Sequence, residues 1–171
     1  MKFLDIFKRK DHPVIKACLI YKKDNCYKIV TQSETKAGFL LSVEPIFIVQ
    51  VNSPIEELEL ALFQSLNSSK KNIPVPKREE YPLLEKEELM KLKEKSYNSL
   101  YKTSNSCDLR LENNILKIFP EKFYNPKKPS QGLVFVEEDM FEIDDPENHK
   151  KEVVTKVMEL LEKDYKGIGS V

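Results

Sequence analysis

The chain repeats one pattern of apolar and polar positions in its two halves. In the first half, β-forming runs at 14–22, 26–31 and 38–51 precede a segment whose apolar residues recur at helical spacing. In the second half, runs at 107–119 and 132–143 lead into another segment of helical spacing. The pattern predicts two consecutive units, each with three strands and a helix.

The two units also match residue by residue when they are aligned. The matched pairs are Cys18 and Cys107, Asn25 and Asn114, Ile29 and Ile118, Gly38 and Gly132, and Phe47 and Phe141. Two of the four glycines in the chain thus stand at one shared position. We therefore predict an α+β fold that is internally duplicated, with antiparallel strand-strand-strand-helix units.

These units are predicted to form a single domain over residues 1–171. Repeat one covers 14–67, a helical linker covers 68–103, repeat two covers 104–164 and a tail covers 165–171. We expect one continuous sheet with helices on one face, and two stacked lobes are the alternative layout.

Local signals define turns and helix starts within the units. Asp24-Asn25 and Asn113-Asn114 predict hairpin turns, because Asp and Asn tolerate left-handed backbone geometry. Ser53-Pro54-Ile55-Glu56 predicts a helix start with a capping box, and Asp145-Pro146 predicts the cap of the last helix. The linker contains a predicted helix at 84–95, whose many charged residues are interpreted as a solvated face.

The composition is that of a folded protein without an overall charge. Charged residues make up 33% and hydrophobic residues 40% of the chain, and 28 basic side chains balance 28 acidic ones. No net field attracts nucleic acid, so we expect no direct nucleic-acid partner.

Cysteine usage and the N-terminus indicate the compartment. Cys18, Cys26 and Cys107 are odd in number and lack the spacing of a metal site, so we expect reduced thiols. Residues 1–10 are predicted to form a short helical turn on the core, and they lack the apolar run of a signal peptide. We predict a cytoplasmic protein that does not bind membranes and is a monomer or weak dimer.

The sequence offers little for catalysis. The two histidines, His12 and His149, have no Cys, Asp or Glu at metal-ligand spacing, and four glycines cannot build a phosphate-binding loop. We therefore predict no enzymatic activity, no metal and no cofactor. A small metal-dependent nuclease that uses Asp108 and Glu121 is the rival hypothesis, although Pro120 disrupts the spacing of such a motif.

One segment is strongly acidic. Seven carboxylates lie within eleven positions: Glu137, Glu138, Asp139, Glu142, Asp144, Asp145 and Glu147. One interpretation is structural, because carboxylates are favourable at a helix N-terminus and protect a strand edge from aggregation. The other interpretation is a surface that docks onto a basic partner. Calcium is disfavoured, because the segment lacks the alternating Asp and the Gly of a calcium loop.

Several segments resemble the immunity proteins of bacterial contact-dependent growth inhibition systems. They are the helix Pro54–Ser68 after an apolar strand, Lys95-Ser96-Tyr97 leading to Tyr101-Lys102, and the hairpin that ends in Lys117-Ile118-Phe119-Pro120. The resemblance runs over about residues 38–163.

This resemblance implies a cytosolic protein without catalysis that binds and neutralises the C-terminal toxin domain of a neighbouring cell's effector. Such toxins are often nucleases, whose active sites are basic because they hold phosphates. An acidic surface would complement such a site, so residues 137–147 are the predicted contact surface. A non-catalytic scaffold or regulatory adaptor is the alternative function.

Overall fold

The computed structural model describes residues 14–168, and these contain seven strands and four helices. The strands are β1 Lys16–Lys23, β2 Cys26–Glu34, β3 Leu40–Gln50, β4 Asn105–Glu112, β5 Ile115–Phe123, β6 Leu133–Phe135 and β7 Phe141–Asp144. The helices are α1 Ile55–Ser68, α2 Tyr81–Lys91, α3 Tyr97–Thr103 and α4 Lys150–Glu162. The turn predicted at 1–10 lies outside the described residues, as does the end of the predicted tail.

The seven strands belong to one antiparallel sheet. Its order is β3-β2-β1-β4-β5-β6, and β7 pairs with the part of β5 that β6 leaves open. The pairing of β1 with β4 joins the two halves of the chain and places Ile20 opposite Cys107. The prediction of one continuous sheet is confirmed, and the alternative of two stacked lobes is wrong.

Helices cover both faces of this sheet. Cys18 and Ile20 of β1 point to the face covered by α1 and α4, which we call the core face. Leu19 and Tyr21 point to the opposite, outer face, where they pack with Leu92 and with α3. The expected arrangement with helices on one face is therefore wrong. Because β1 is covered on both sides, its apolar run is nearly continuous rather than alternating.

The larger hydrophobic cluster lies between the core face and the two long helices. Leu62 and Leu66 of α1 and Leu160 and Leu161 of α4 are all at most 1% exposed. Leu62 and Leu66 are four residues apart, as are Val153, Val157 and Leu161 of α4, and this spacing places each set on one side of its helix and produces the predicted apolar stripe. Burying a leucine side chain contributes about 1.5–3 kcal/mol, so this layer is a major source of stability.

The two halves correspond at particular backbone positions. The turn residues Asp24 and Asn113 both have φ of 52°, and Gly38 and Gly132, which precede β3 and β6, both have φ of 89°. Glycine reaches this region of φ without the clash that a Cβ would cause. The predicted hairpin turns are confirmed, whereas the internal duplication itself stays a prediction.

The two long helices begin without the predicted caps. α1 has no side-chain hydrogen bond at its N-terminus, so the capping box expected from Ser53 and Glu56 does not form. A 3-10 turn, Pro146–Asn148, precedes α4, and Asp145 accepts a hydrogen bond from Asn148 Nδ2 at 2.7 Å instead of capping the helix.

The linker contains two helices where one was predicted at 84–95. α2 ends at Lys91, and Lys93 has a left-handed backbone with φ of 56°. α3 follows Ser96, whose Oγ accepts a hydrogen bond from the Ser99 N–H at 3.1 Å. The capping serine explains why a second helix starts there, because it satisfies one of the free N–H groups of the first turn.

Candidate functional site

Two surfaces carry candidate functional groups. The acidic segment, residues 137–147, runs beside β5 and includes β7. The second surface, which we call the α2 groove, lies between α2 and the outer face of the sheet near β3. Four strand spacings of about 4.8 Å separate β3 from β5, which is about 19 Å. The two surfaces therefore lie towards opposite ends of the sheet.

The acidic segment consists of a turn, a strand and a second turn. Glu137–Asp139 form a 3-10 turn, Glu142 and Asp144 lie on β7, and Glu147 lies in the turn before α4. Five of the seven predicted residues are exposed, and Asp139 and Asp145 are half-buried. The structure thus places the predicted contact residues along one end of the sheet.

Lysines neutralise much of this acidic charge. The ion pairs are Glu138 with Lys122, Asp139 with Lys163, Glu142 with Lys117, and Glu147 with Lys150. Their N–O distances lie between 3.1 and 3.8 Å. Among residues 14–168, Glu137, Asp144 and Asp145 have no such ion pair, and Asp145 instead accepts the hydrogen bond from Asn148. The segment is therefore less acidic in the fold than its sequence suggests.

Asp139 is held by the C-terminal segment. Tyr165 Oη donates a hydrogen bond to Asp139 Oδ2, and Lys163 Nζ lies 3.4 Å from the same oxygen. The hydrogen bond from Tyr165 lowers the pKa of Asp139, and burial together with this bond raises the pKa of Tyr165. Asp139 is thus engaged within the fold, which makes it a weaker contact candidate than its exposed neighbours.

The α2 groove is an open cavity of about 590 Å³. α2 has no buried residue, so this helix stands off the sheet instead of packing closely on it. The apolar side chains of the lining are Leu19, Leu41, Val43, Ile46, Pro76 and Leu84. The aromatic side chains of the lining are Tyr81, Tyr97 and Tyr101. A volume of this size lies in the range of about 300–1,000 Å³ that ligand pockets occupy.

Carboxylates predominate among the charged groups of the groove. Glu85, Glu87 and Glu88 of α2 contribute carboxylates to the lining. Tyr97 Oη donates a hydrogen bond of 2.6 Å to Glu88 Oε2, and burial raises the pKa of Glu88. Gln32 also lines the groove, and its Oε1 is buried without a hydrogen-bond partner among residues 14–168.

A buried ion cluster holds the chain directly after α2. Leu92 is fully buried on the outer face, and its carbonyl accepts a hydrogen bond from Lys28 Nζ at 2.7 Å. The side chain of Glu94 is 3% exposed and forms ion pairs with Lys28 and with Lys23 Nζ, the latter at 2.7 Å. These contacts anchor one end of α2 to the sheet, while the helix itself remains loosely covered.

Sequence reasoning missed the α2 groove. The charges of the linker helix were interpreted as a solvated face, which holds for most of its length. The signal that could have identified the groove is the set Tyr81, Tyr97 and Tyr101 around this helix, since aromatic rings rarely surround a helix that is wet on all sides.

The two carboxylates of the rival nuclease hypothesis do come together on the outer face. Asp108 Oδ1 accepts a hydrogen bond from Arg110 Nε at 2.8 Å, and Glu121 Oε2 accepts one from Ser106 Oγ at 2.6 Å. Burial raises the pKa of both carboxyls, while Arg110 opposes this effect at Asp108. A metal would have to compete with the guanidinium, so the arrangement fits a buried ion pair better than a metal site.

Lys166 closes this polar cluster from the C-terminal side. Its Nζ donates hydrogen bonds to the carbonyls of Ser104 at 2.9 Å and Tyr101 at 3.4 Å. Burial lowers the pKa of Lys166 to about 8, although the nearby Glu121 opposes the shift. In the part of the chain that the structure describes, no group of three or more His, Cys, Asp or Glu is placed to hold a metal ion.

The three cysteines are free thiols of different accessibility. Cys18 and Cys107 are 0% exposed on the core face, and burial raises the pKa of Cys18 to about 12 and that of Cys107 well above its ordinary value. Cys26 is half-buried at the start of β2.

We expect iodoacetamide at pH 8 to modify Cys26 alone in the folded protein, because only thiolates react and buried thiols stay protonated. Mass spectrometry of intact protein should show one adduct in buffer and three in denaturant. The Cys26→Ser variant should show none until it is unfolded. Equal labelling of all three thiols in the native state would contradict the burial described above.

None of the helices within residues 14–168 combines the length and apolar character that crossing a bilayer requires.

The comparisons with known proteins concern the fold. No protein-family model and no curated protein matches the chain. The structure is similar to a protein of unknown function from Neisseria meningitidis, with a TM-score of 0.67 and 17% identity over 88% of this chain and 96% of that one. It is also similar to a chain of the CdiA-CT/CdiI toxin and immunity complex from Yersinia pseudotuberculosis, with a TM-score of 0.59 and 12% identity over 86% of this chain and 98% of that one. At these identities the likeness shows a shared fold, one that also occurs in a toxin and immunity complex.

Proposed function

We propose that this protein is an immunity protein that binds and neutralises the toxin domain of a contact-dependent growth inhibition effector. One observation carries the proposal, namely the fold shared with a chain of a toxin and immunity complex over 98% of that chain. The resemblance of residues 38–163 to such immunity proteins, noted from the sequence, points in the same direction. The protein would act by stoichiometric binding, without catalysis of its own.

The partner in this proposal is a basic toxin domain, such as a nuclease. A nuclease active site carries positive charge to hold phosphates, so an acidic surface can cover it and speed the encounter. The acidic segment 137–147 is the proposed contact surface for this encounter. Glu137 and Asp144 are its strongest candidates, since Lys side chains pair with four of the other five and Asp145 is half-buried and bonded to Asn148.

The proposal includes the internal duplication predicted from the sequence. Its support is that β3 pairs with β2 as β6 and β7 pair with β5, each half ending in a helix, and that the φ angles are equal at Asp24 and Asn113 and at Gly38 and Gly132. Residues 16–66 and 105–163 should then superpose with each helix on its counterpart. Two halves whose strands superpose only with the helices displaced would contradict the duplication.

Co-expression tests the function itself. The candidate toxin would be the C-terminal domain of a large secreted effector, if its gene is found directly upstream as the proposal predicts. Cells that produce this domain should survive when the protein is co-expressed, and the two proteins should purify as a stoichiometric complex. An adaptor or scaffold would give no protection, and this outcome would end the immunity proposal.

Charge reversal tests the proposed contact surface. Glu138→Lys with Asp144→Lys should slow association with the toxin domain roughly tenfold at low salt, because it replaces attraction with repulsion. The wild-type rate should itself fall as salt is added. Stopped-flow fluorescence measures both effects.

A matched control carries the same change of charge elsewhere. Glu56 and Glu57 are exposed at the start of α1. The acidic segment contacts this helix near its other end, where Asn67 bonds Glu147, eleven and ten residues after the two control positions. That spacing is about 15 Å or more along the helix. Glu56→Lys with Glu57→Lys should associate nearly as fast as wild type. Equal slowing in both variants would leave only a net-charge effect and would contradict contact at the acidic segment.

A further inference from the structure

A helix that covers a sheet normally packs on it with buried side chains, and α2 does not. None of its eleven residues is buried, and Leu83 and Met90 are 59% and 67% exposed. The chain beyond its C-terminal end is nevertheless fixed, because Leu92 is fully buried and Glu94 lies between Lys23 and Lys28. α2 reaches β3 through long side chains, as where Lys91 pairs with Glu44 and Glu88 bonds Ser42, and the space between them is open.

The charges of this space are complementary to a cation. Glu44, Glu85, Glu87 and Glu88 line it, against a single basic side chain, Lys91. Lys91 is already paired with Glu44 at the groove's edge. Three carboxylates of α2 thus face the groove without a cation of their own among residues 14–168. Carboxylates favour bound ammonium or guanidinium groups, since these hydrogen bonds are assisted by charge, and the half-buried Glu88 is the least hydrated of the three.

An unpartnered acceptor provides a second, independent indication. Gln32 Oε1 is buried and receives no hydrogen bond within residues 14–168, although Gln32 belongs to the groove lining. A buried acceptor without a donor costs about 1–3 kcal/mol, so a ligand that supplies an N–H would relieve it. The groove thus carries an excess of negative charge along α2 and an unpartnered acceptor at the strand below it.

The remaining surface suits the rest of such a ligand. Leu19, Leu41, Val43 and Ile46 give an apolar floor, and three tyrosine rings surround it. Lysine and arginine side chains place their alkyl stems on apolar surface while the charged head reaches carboxylates, and aromatic faces attract the same cations.

We infer that the α2 groove binds a segment of the partner protein in which lysine or arginine side chains are flanked by apolar residues. This inference names the contact made by the partner of the proposed function, and it rests on that function for the partner's identity as a toxin domain. The groove would hold the complex together, whereas the acidic segment at the other end of the sheet would mainly affect the rate of encounter.

A peptide pair tests the chemistry of the groove without the toxin. The probes are a six-residue peptide in which lysine and arginine alternate with leucine, and its counterpart with glutamate at the basic positions. In ¹⁵N-labelled full-length protein, the basic peptide should shift the Gln32 side-chain amide and the backbone signals of Ser42 and Glu88. Glu85→Gln with Glu88→Gln should weaken its binding at least roughly tenfold, as the loss of two charge-assisted hydrogen bonds implies.

Control variants separate groove binding from a general charge effect. Glu56→Gln with Glu57→Gln removes the same charge from α1 and should bind the basic peptide as wild type does. Because Glu88 is half-buried, thermal melting checks that each variant folds, and Glu85→Gln alone, at an exposed site, should weaken binding in the same direction. Equal binding of the acidic peptide, or unchanged binding in the Glu85 and Glu88 variants, would overturn the inference.

The toxin domain then separates the inference from the proposed function. If the domain binds but Glu85→Gln with Glu88→Gln leaves its dissociation rate unchanged, the groove inference fails and the immunity function stands. If the basic peptide binds in the groove but no toxin is neutralised, the proposed function fails and the chemistry of the groove stands. Two other results would give the groove a different occupant and overturn the inference. In the first, Lys8→Glu with Arg9→Glu shifts the groove signals without any added peptide, which would make the N-terminal segment the occupant. In the second, the protein self-associates and Glu85→Gln with Glu88→Gln abolishes this, which would make a second copy the occupant.

Discussion

Glu94→Ala is expected to lower the free energy of unfolding by about 3 kcal/mol, one of the largest effects of a single polar substitution in this protein. The Glu94 side chain is 3% exposed and forms ion pairs with Lys23 and Lys28. Its removal leaves the Lys28 ammonium, on a side chain that is 6% exposed, without a carboxylate partner. Urea denaturation followed by circular dichroism measures the change.

The matched control is an exposed ion pair. The side chain of Glu159, on α4, is 54% exposed, and its Oε1 lies 3.1 Å from Lys156 Nζ. Glu159→Ala should cost less than about 1 kcal/mol, because exposed ion pairs gain little over hydration. Combining Glu94→Leu with Lys28→Met should recover part of the loss, since the deeply buried charge of Lys28 is removed as well and only the more exposed Lys23 loses its partner. A Glu94→Ala cost no larger than that of the control would contradict the assignment of a buried cluster.

The contribution of Glu94 should depend on pH in a defined direction. Burial alone would raise the pKa of Glu94, but hydrogen bonds and charges from Lys23 and Lys28 outweigh burial and lower the pKa. A group with a lowered pKa in the folded state stabilises above its unfolded pKa, about 4.3 for Glu, and loses that contribution as the pH falls further. The stability difference between wild type and Glu94→Ala should therefore be constant from pH 7 to 5 and shrink below pH 4.

Leu62→Ala should lower the free energy of unfolding by about 2–5 kcal/mol. Leu62 is fully buried between α1 and the core face, where the surrounding side chains of α4 cannot collapse fully into the space that remains. The same urea titration measures the loss, and the dependence on urea should keep its slope.

Leu60 provides a control on the same helix. Its side chain is 58% exposed, so Leu60→Ala should change stability by at most about 0.5 kcal/mol. The two variants remove the same atoms from the same kind of residue. Similar costs for both would mean that α1 presents a different side to the sheet.

Local patterns in the sequence predicted much of the fold. Strands followed from runs of β-forming residues, and the hairpin turns followed from Asp24 and the Asn113-Asn114 pair, which adopt positive φ. The second layer of helices was not predicted. A continuous apolar run in β1 does indicate burial on both sides, but the sequence does not say that the linker folds back to supply the second cover.

The candidate surfaces were harder to predict because their charges depend on pairing across the sheet. Glu142 is neutralised by Lys117, which is 25 residues earlier and lies opposite it only through the β5–β7 register. The carboxylates of α2 form a groove only together with strand residues such as Ile46, which are at least 39 residues earlier in the chain (85 − 46 = 39). Residue types identified acidic groups in both places, but only tertiary structure distinguishes paired from unpaired ones.

The pairing of β1 with β4 has a consequence during synthesis. Ile20 of β1 pairs with Cys107 of β4, so 87 further residues must be translated before the pair can form (107 − 20 = 87). At about 5–20 residues per second, this takes roughly 4–17 s on the ribosome. Throughout that interval β1 exposes an unpaired edge that could aggregate with other nascent chains. The sheet therefore closes late, when the second hairpin emerges, and nascent chains stalled before Glu112 should be the species that chaperones protect.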